Sequence, residues 1–250
     1  LLHLGHAYSA LFAGRLATSA GGQFILRIED IDPGRCRPEF EDAIIEDMAW
    51  LGLEWPQPVW RQSERMDVYG SALETLNGMD LLYPCFCTRK DIAAEISQSG
   101  AAPHLGHDGP DGPVYPGICK SLDGSTRAAR IAAGEPHALR LDMDAAIARA
   151  GTLTWHDRSR GEQTAEPEIF GDVVLARKDV ATSYHLAVTI DDAAQGVTLV
   201  TRGSDLFAAT HIHRLLQALL DLDVPEWHHT PLLTNSDGER LAKRDRAFTL

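Results

Sequence analysis

The sequence is short of basic residues, and this shortage narrows the functions it can have. Its 250 residues include 23 Lys and Arg against 36 Asp and Glu, a formal net charge of −13. Nucleic-acid binders are usually basic, because phosphate contacts dominate their affinity. An RNA partner would therefore need a local basic patch. The candidate is a C-terminal cluster of four cations: Arg240, Lys243, Arg244 and Arg246. The alternative for this cluster is a solvated charged turn.

Long apolar runs and disulfide spacing are also lacking. No run of about 18 apolar residues occurs, so we expect no membrane-spanning helix and no membrane partner. Of four cysteines, three fall in one region (Cys85, Cys87 and Cys119), and Cys36 stands apart as a bystander. This spacing is typical of a metal site in a reducing compartment, which predicts a cytoplasmic protein. The chain opens at Leu1 with no initiator Met and no signal segment, so we expect that residues precede it.

The length fits one large α/β unit that carries a smaller insertion. Periodic apolar residues predict helices at 7–20, 39–51, 66–77, 91–96 and 210–220. Short apolar or alternating runs predict strands at 23–28, 139–143, 152–156, 173–177, 184–190 and 197–201. Residues 80–135 contain a Gly-, Pro- and His-rich stretch with no periodic face, which indicates an insertion. The predicted α/β core therefore has its first half at 1–79 and its second half at 136–250.

An acidic loop directly follows the first predicted strand. Glu29 opens it, within the segment RIEDIDP at 27–33. In open α/β sheets, ligands bind beyond the carboxyl ends of the strands. Glu29 is therefore predicted to lie near a ligand site. The alternative is a solvent-facing carboxylate at a strand end.

Two short motifs have residues suited to binding a nucleotide phosphate. His3-Leu4-Gly5-His6 opens the first helix, where two histidines share one side of a turn and the helix N-terminus favours anions. The glycine between them allows a ligand to approach the backbone. Lys243 lies in a loop after a turn at 235–238, where a cation could neutralise charge developing on a triphosphate. The alternatives are a capped helix with two ordinary histidines and a solvated basic loop.

Taken as a pair, these motifs resemble the HIGH and KMSKS signatures of class I aminoacyl-tRNA synthetases. Five further segments are similar to the glutamyl branch of that family: RIEDIDP at 27–33, WLGL at 50–53, QSER at 62–65, YHLA at 184–187 and RGSD at 202–205. Three features resemble the truncated paralogues within that branch, the glutamyl-Q tRNA(Asp) synthetases: DIDP at 30–33, DDAAQGVT at 191–198 and the Cys-x-Cys…Tyr-x-x-x-Cys arrangement. The resemblance implies an α/β fold, with a Rossmann-like class I synthetase catalytic core, a small zinc-binding insertion and no anticodon-binding domain.

The resemblance also implies roles for the matching residues. Four would contact ATP, and the two histidines and the lysine among them would act in catalysis: His3, Gly5, His6 and Lys243. Glu29 would hold the α-ammonium group of glutamate. Tyr184 and Arg202 would line the same pocket, with Arg202 on a carboxylate, which suits the planar fork of arginine. The alternative for Tyr184 is a plain core position.

Two features depart from the family pattern. The Arg/Ser segment that precedes the HIGH-like motif in the family, and also binds the amino acid, is absent from this sequence. In the KMSKS-like loop Ala242 replaces the serine, whereas Lys243 remains.

Zinc is the cofactor that the insertion implies. Zn²⁺ takes four ligands, usually Cys or His, in tetrahedral geometry. Three thiolates are present, and the resemblance supplies a tyrosine as the fourth ligand. The implied set is Cys85, Cys87, Tyr115 and Cys119. His104 and His107 are chemically more ordinary alternatives, and uncoordinated buried cysteines are another. The site would be structural, and Mg²⁺ would accompany ATP.

The function implied by the resemblance is that of a ligase with two steps. It would activate L-glutamate with ATP without tRNA, and would then transfer glutamate to the queuosine base in the anticodon of tRNA(Asp). The expected partners are ATP, L-glutamate and tRNA(Asp) carrying queuosine, and the expected state is a monomer. One alternative is the catalytic fragment of a glutamyl-tRNA synthetase that charges tRNA(Glu). Another, of a different class, is a non-catalytic RNA-binding paralogue, against which the intact His3, His6 and Lys243 argue.

Overall fold

The structure is a computed structural model that describes residues 2–34, 36–99 and 108–233. Its α-helices are α1 Leu4–Ser19, α2 Pro38–Trp50, α3 Met66–Gly78, α4 Arg89–Ser99, α5 Gly124–Ala132, α6 Met143–Ala150, α7 Tyr184–Ala194 and α8 Ala209–Leu219. Its strands are β1 Arg27–Ile28, β2 Trp60–Arg61, β3 Leu82–Cys85, β4 Asp108–Gly109, β5 Gly112–Pro113, β6 Ala138–Leu141, β7 Thr154–Asp157, β8 Gly161–Thr164, β9 Val174–Ala176, β10 Leu199–Gly203 and β11 Glu226–Thr230. The predictions for Lys243, the basic cluster around it, His104 and His107 lie outside the described residues. Among the described helices, none combines the length and the apolar character needed to span a membrane.

Parallel strands form the centre of the α/β arrangement. Strands β10, β11 and β7 run parallel in that order, and β8 joins β7 in antiparallel pairing at the edge. Strands β1 and β2 form a separate parallel pair. Parallel neighbours need a crossover connection, which α8 provides between β10 and β11. The α/β class predicted from the sequence is confirmed.

A second sheet frames the predicted insertion. Strands β3, β6 and β9 are antiparallel neighbours in that order. Cys85, at the end of β3, is in register with Ala138, at the start of β6. The chain therefore leaves this sheet and returns to it through adjacent strands. The insertion boundaries at 80 and 135 stay a prediction.

The main hydrophobic core lies between α3, α7, α8 and the β3–β6–β9 sheet. Its fully buried aliphatic side chains are Leu76, Leu141, Leu175, Leu186, Ile212 and Leu216. Burying one such side chain stabilises the fold by about 1.5–3 kcal/mol. This packing fixes α7 and α8, which carry several of the polar residues described below.

The strand predicted at 184–190 is wrong, because these residues form the first part of α7. Ser183 caps the helix by accepting a hydrogen bond from the N–H of Leu186 at 3.4 Å. Residues 186–191 are buried in succession, so this part of the helix has no exposed face. Periodicity alone cannot assign a short apolar run of that kind to a strand or a helix. The sequence patterns also do not predict α5, α6, β8 or β11.

Two glycines end α1 and turn the chain. The N–H of Gly22 donates to the carbonyl of Ala17 at 2.8 Å, and the N–H of Gly21 donates to that of Thr18 at 3.1 Å. Gly21 has a φ of +66°, in the left-handed region that costs glycine little. This turn returns the chain from α1 towards β1.

A buried carboxylate, that of Asp191, joins α7 to two other parts of the chain. Its side chain is 0% exposed. It accepts hydrogen bonds from Arg65 Nε at 2.7 Å, from the Tyr69 hydroxyl at 2.7 Å and from Gln62 Nε2 at 3.1 Å. Arg27 Nε lies 3.8 Å away. These donors and the two guanidinium charges offset the cost of burying the carboxylate, and they hold β1, the QSER segment and α3 against α7.

Asp191→Ala is expected to lower the free energy of unfolding by about 3–5 kcal/mol, because it leaves Arg65 without its counter-charge and leaves Tyr69 and Gln62 without their acceptor. Urea denaturation of the variant and the parent protein measures the difference. Asp42→Ala removes an exposed carboxylate of α2 and is the matched control, expected to change stability by less than about 0.5 kcal/mol. Equal stability of Asp191→Ala and the parent would contradict this role for Asp191.

Candidate active site and metal cluster

The two motif histidines close the N-terminus of α1. Nδ1 of His3 accepts from the N–H of Gly5 at 3.1 Å, and Nδ1 of His6 accepts from the N–H of His3 at 3.2 Å. The ring centroids are 3.8 Å apart. A Cβ on Gly5 would lie 3.0 Å from the His3 ring, so a larger residue would press on it. The two histidines thus cap α1, as the alternative interpretation of the motif expected. The same bonds fix both imidazoles at the positive end of the helix dipole, where anions are favoured.

An open cleft of 760 Å³ runs between α1, β1 and β10. Its lining includes His6 from α1, Glu29 after β1 and Asp192 from α7. Tyr184 and Arg202 lie near the cleft, close enough to Glu29 for their charges to interact. The folded chain therefore brings the predicted histidine, carboxylate, tyrosine and arginine to one region.

One end of this region is acidic. The side chain of Glu29 is 43% exposed to the cleft, and its Oε1 lies 3.5 Å from Arg27 Nη2. Arg27 also donates to Asp192 Oδ1 at 2.8 Å and to Gln195 Oε1 at 2.8 Å. The surrounding walls of the cleft raise the pKa of Glu29, the Arg27 charge lowers it, and the Asp192 charge raises it again. One guanidinium thus faces at least two carboxylates, an arrangement that favours an incoming cation such as an ammonium group.

Another part of the region is cationic. Arg202, on β10, lies close to Tyr184, the first residue of α7, and their side chains interact. A guanidinium in a protein stays charged. Burial raises the pKa of Tyr184, so its hydroxyl stays neutral beside Arg202. The charge of Arg202 is therefore available to an anionic group.

Sequence motifs alone do not assign several polar residues of this region. They are Arg27, Asp192, Thr210, His213 and His229. Arg27 and Asp192 lie within the RIEDIDP and DDAAQGVT segments, so the resemblance of these segments to the family could have indicated them. Thr210, His213 and His229 come from α8 and β11 and meet Arg202 only in the folded chain. No spacing in the sequence indicates that contact.

The three clustered cysteines meet as the sequence predicts. The sulfur atoms of Cys85, Cys87 and Cys119 all lie within 4.8 Å of one another, and those of Cys87 and Cys119 are 3.4 Å apart. Cys36 is exposed and apart from them. Burial raises the pKa of the Cys87 thiol to about 12. Its thiolate form would therefore require a neighbouring cation.

The hydroxyl of Tyr115 completes this cluster as a fourth donor atom. It lies 3.5 Å from Cys85 Sγ and 3.6 Å from Cys87 Sγ, and it accepts from the N–H of Cys119 at 2.8 Å. Tetrahedral zinc with Zn–S of about 2.3 Å and Zn–O of about 2.0 Å requires S···O separations of about 3.5 Å. The guanidinium of Arg140 lies 3.8 Å above the Tyr115 ring in a cation–π contact. Burial raises the pKa of the Tyr115 hydroxyl, so its phenolate form, like the Cys87 thiolate, would require a neighbouring cation. The donor set and its spacings fit a zinc ion.

The sequence is similar to known aminoacyl-tRNA synthetases. The profile described as "tRNA synthetases class I (E and Q), catalytic domain" matches residues 1–250. A glutamyl-Q tRNA(Asp) synthetase of Rhodobacter capsulatus is 49% identical over 254 residues, which cover 100% of this chain and 89% of that protein. A glutamate–tRNA ligase of Aquifex aeolicus is 33% identical, over 100% of this chain and 50% of that one.

The fold is also similar to that of solved glutamate tRNA ligases. A glutamate tRNA ligase from Elizabethkingia meningosepticum, crystallised in complex with its amino acid, superposes with a TM-score of 0.79 at 28% identity. The match covers 98% of this chain and 50% of that one. The chain thus spans most of the length of the glutamyl-Q relative and about half the length of the two glutamate ligases.

Purified protein is expected to bind one zinc ion per chain, with Tyr115→Phe lowering zinc affinity by at least about tenfold, because the variant removes the oxygen donor and keeps the ring. Titration with a chromophoric chelator measures the affinity, and metal analysis measures the content. Cys87→Ser is expected to lose more, and Cys36→Ser, at the exposed cysteine, is the matched control. Unchanged affinity in Tyr115→Phe would exclude the hydroxyl as a ligand.

Proposed function

The chain belongs to the family of class I tRNA synthetases for glutamate and glutamine, and from that membership we propose that it activates L-glutamate with ATP and transfers the glutamyl group to the queuosine base in the anticodon of tRNA(Asp). It is a ligase-type enzyme, as its relatives named glutamyl-Q tRNA(Asp) synthetase are. The names of these relatives support tRNA(Asp) as the acceptor.

The observation that carries the proposal is that carboxylates and a guanidinium come together at one site. The carboxylates are those of Glu29 and Asp192, and the guanidinium is that of Arg202, which lies close enough for their charges to interact. Glutamate has one ammonium group and a side-chain carboxylate at opposite ends of a short chain. Bound with its ammonium group at Glu29 and its side-chain carboxylate at Arg202, it leaves the α-carboxylate available to react. A planar guanidinium suits that carboxylate.

In the first step, an oxygen of the α-carboxylate attacks the α-phosphorus of ATP. The bond from that phosphorus to the bridging oxygen breaks, and pyrophosphate leaves with its negative charge, giving glutamyl-adenylate. This step needs no acid or base, because positioning and charge neutralisation lower its barrier. His3, Gly5 and His6 at the N-terminus of α1 would bind the ATP phosphates, Lys243 would contact the leaving pyrophosphate, and Mg²⁺ would accompany ATP.

The cysteine cluster has a structural role in this proposal. Cys85, Cys87, Tyr115 and Cys119 would hold Zn²⁺, which supplies rigidity to the insertion and no reacting group. All four donors point at one another, which leaves no position for a substrate. The buried thiols and the N–H of Cys119 that donates to Tyr115 support this assignment.

Glu29→Gln is expected to lower kcat/KM for glutamate in ATP–pyrophosphate exchange by about 100-fold, since loss of a hydrogen-bonded charge partner costs about 3 kcal/mol. The assay uses labelled pyrophosphate, ATP and glutamate, without tRNA. Stability is expected to stay near that of the parent, because Glu29 is half exposed. Glu74→Gln, at an exposed carboxylate of α3, is the control. Near-parental exchange by Glu29→Gln would remove Glu29 from the site.

The acceptor is tested separately, by transfer of labelled glutamate to three tRNAs. We expect an alkali-labile product on tRNA(Asp) that carries queuosine, and none on tRNA(Asp) without queuosine or on tRNA(Glu). Exchange that requires tRNA(Glu), with product on that tRNA, would instead identify the catalytic part of a glutamate–tRNA ligase, a candidate supported by the half-length match to such enzymes. No exchange under any condition would favour a non-catalytic paralogue.

A further inference from the structure

The guanidinium of Arg202 is held by three neutral acceptors, which we call the acceptor cage: Thr210, His213 and His229. Nη2 donates to Thr210 Oγ1 at 2.6 Å, Nη1 lies 3.2 Å from His213 Nδ1, and Nε donates to His229 Nε2 at 3.2 Å. His229 lies opposite Arg202 in the parallel pairing of β10 and β11. Thr210 and His213 are three residues apart on α8 and so share one face of that helix. Each of the three guanidinium nitrogens therefore has its own partner.

Both histidines of the cage are neutral. A guanidinium has only donors, so the ring nitrogens that face it must be unprotonated acceptors. Burial and Arg202 lower the pKa of His229 to about 4, although Asp157 acts in the opposite direction. Burial, Arg202 and neighbouring histidines lower the pKa of His213 well below its usual value. The three cage residues thus orient Arg202 without adding a negative charge beside it.

The hydrogen bonds behind the cage set the tautomer of each ring. His229 donates from Nδ1 to Asp157 Oδ2 at 2.6 Å, so Nε2 is the nitrogen left to accept from Arg202. Burial raises the pKa of Asp157, but the hydroxyl and N–H groups of Ser159 and the ring and N–H groups of His229 donate to it and lower its pKa below its usual value, which keeps it anionic. On this side of the cage, the anionic Asp157 binds the neutral ring of His229, which in turn binds the cationic Arg202.

On the other side, the cage is continuous with the predicted insertion. Since Nδ1 of His213 accepts from Arg202, its Nε2 carries the proton and donates to His185 Nδ1 at 3.2 Å. His185 then carries its proton on Nε2, which lies 3.4 Å from Asp111 Oδ2 in the β4–β5 hairpin. Every bond in this series has one donor and one acceptor. His213 and His229 must therefore adopt opposite tautomers.

We propose that His213 and His229 are positioning residues that hold Arg202 in one orientation through neutral acceptors, so that its charge stays available to the side-chain carboxylate of an acidic amino acid. This rests on the proposed function for the identity of the ligand. The cage itself rests on the contacts of Arg202. A carboxylate in either histidine position would orient Arg202 equally well but neutralise it, which would remove the preference for a carboxylate over a carboxamide.

The test compares three variants of the full chain in glutamate-dependent ATP–pyrophosphate exchange. His213→Leu removes the acceptor and is expected to raise KM for glutamate by about tenfold or more, to reduce the preference for glutamate over glutamine, and to leave KM for ATP unchanged. His213→Asn keeps an acceptor at the position of Nδ1 and is expected to restore most of the affinity. His211→Leu is the matched control, because His211 is also buried on α8 but accepts from the N–H of Glu166 and not from Arg202.

A structural role alone would affect His213→Leu and His211→Leu alike, in stability and in KM. Equal glutamate KM values for these two variants would overturn the proposal, as would an Asn variant no better than the Leu variant. A Leu variant that fails to fold leaves His213→Asn and the following measurement on the parent protein.

Nitrogen NMR of ¹⁵N-histidine in the parent protein reads the tautomers without any substrate. We expect His229 with its proton on Nδ1, His213 with its proton on Nε2, and neither ring charged near neutral pH. The same tautomer in both rings, or a charged His213, would overturn the cage. Absence of glutamate-dependent exchange together with opposite tautomers would instead count against the proposed function and leave the cage standing.

Discussion

The buried carboxylate of Asp191 is the interaction on which the rest of the site depends. It lies in the last turn of α7 with no exposed surface, so its charge must be balanced inside the protein. Arg65, Tyr69 and Gln62 satisfy it directly, which draws the QSER segment and α3 against α7. These bonds connect the QSER segment at 62–65 to Asp191, the first residue of the DDAAQGVT segment. Both segments therefore have a structural role that requires no contact with a substrate.

Arg27 connects this structural carboxylate to the acidic end of the cleft. Its Nε lies near Asp191, while its other nitrogens bind Asp192 and Gln195 and approach Glu29. Arg27 therefore shares its charge between Glu29 and Asp192 and does not pair with Glu29 alone. Arg202 differs, because its hydrogen-bond partners Thr210, His213 and His229 are neutral.

The sequence predicts single elements better than it predicts contacts between them. The end of α1 follows from the conformational freedom of Gly21, and the cysteine cluster follows from spacing and compartment. The strand expected at 184–190 is a helix, because a run buried on every side has no periodicity to read. Thr210, His213 and His229 could not be predicted as partners of Arg202, since they come from elements that meet only through the parallel pairing of β10 and β11. The placement of Glu29 and Arg202 near one cleft came from the resemblance, and the charges around them came from the folded chain.

The link between the insertion and the site is the last consequence of this network. Asp111 lies in the β4–β5 hairpin, four residues before Tyr115, which joins the cysteine cluster. Through His185 and His213 the same hairpin reaches Arg202, which it does not touch. The hairpin beside the cysteine cluster is thus connected to the hydrogen-bond partners that orient Arg202, so the position of the hairpin and the orientation of Arg202 depend on the same series of side chains.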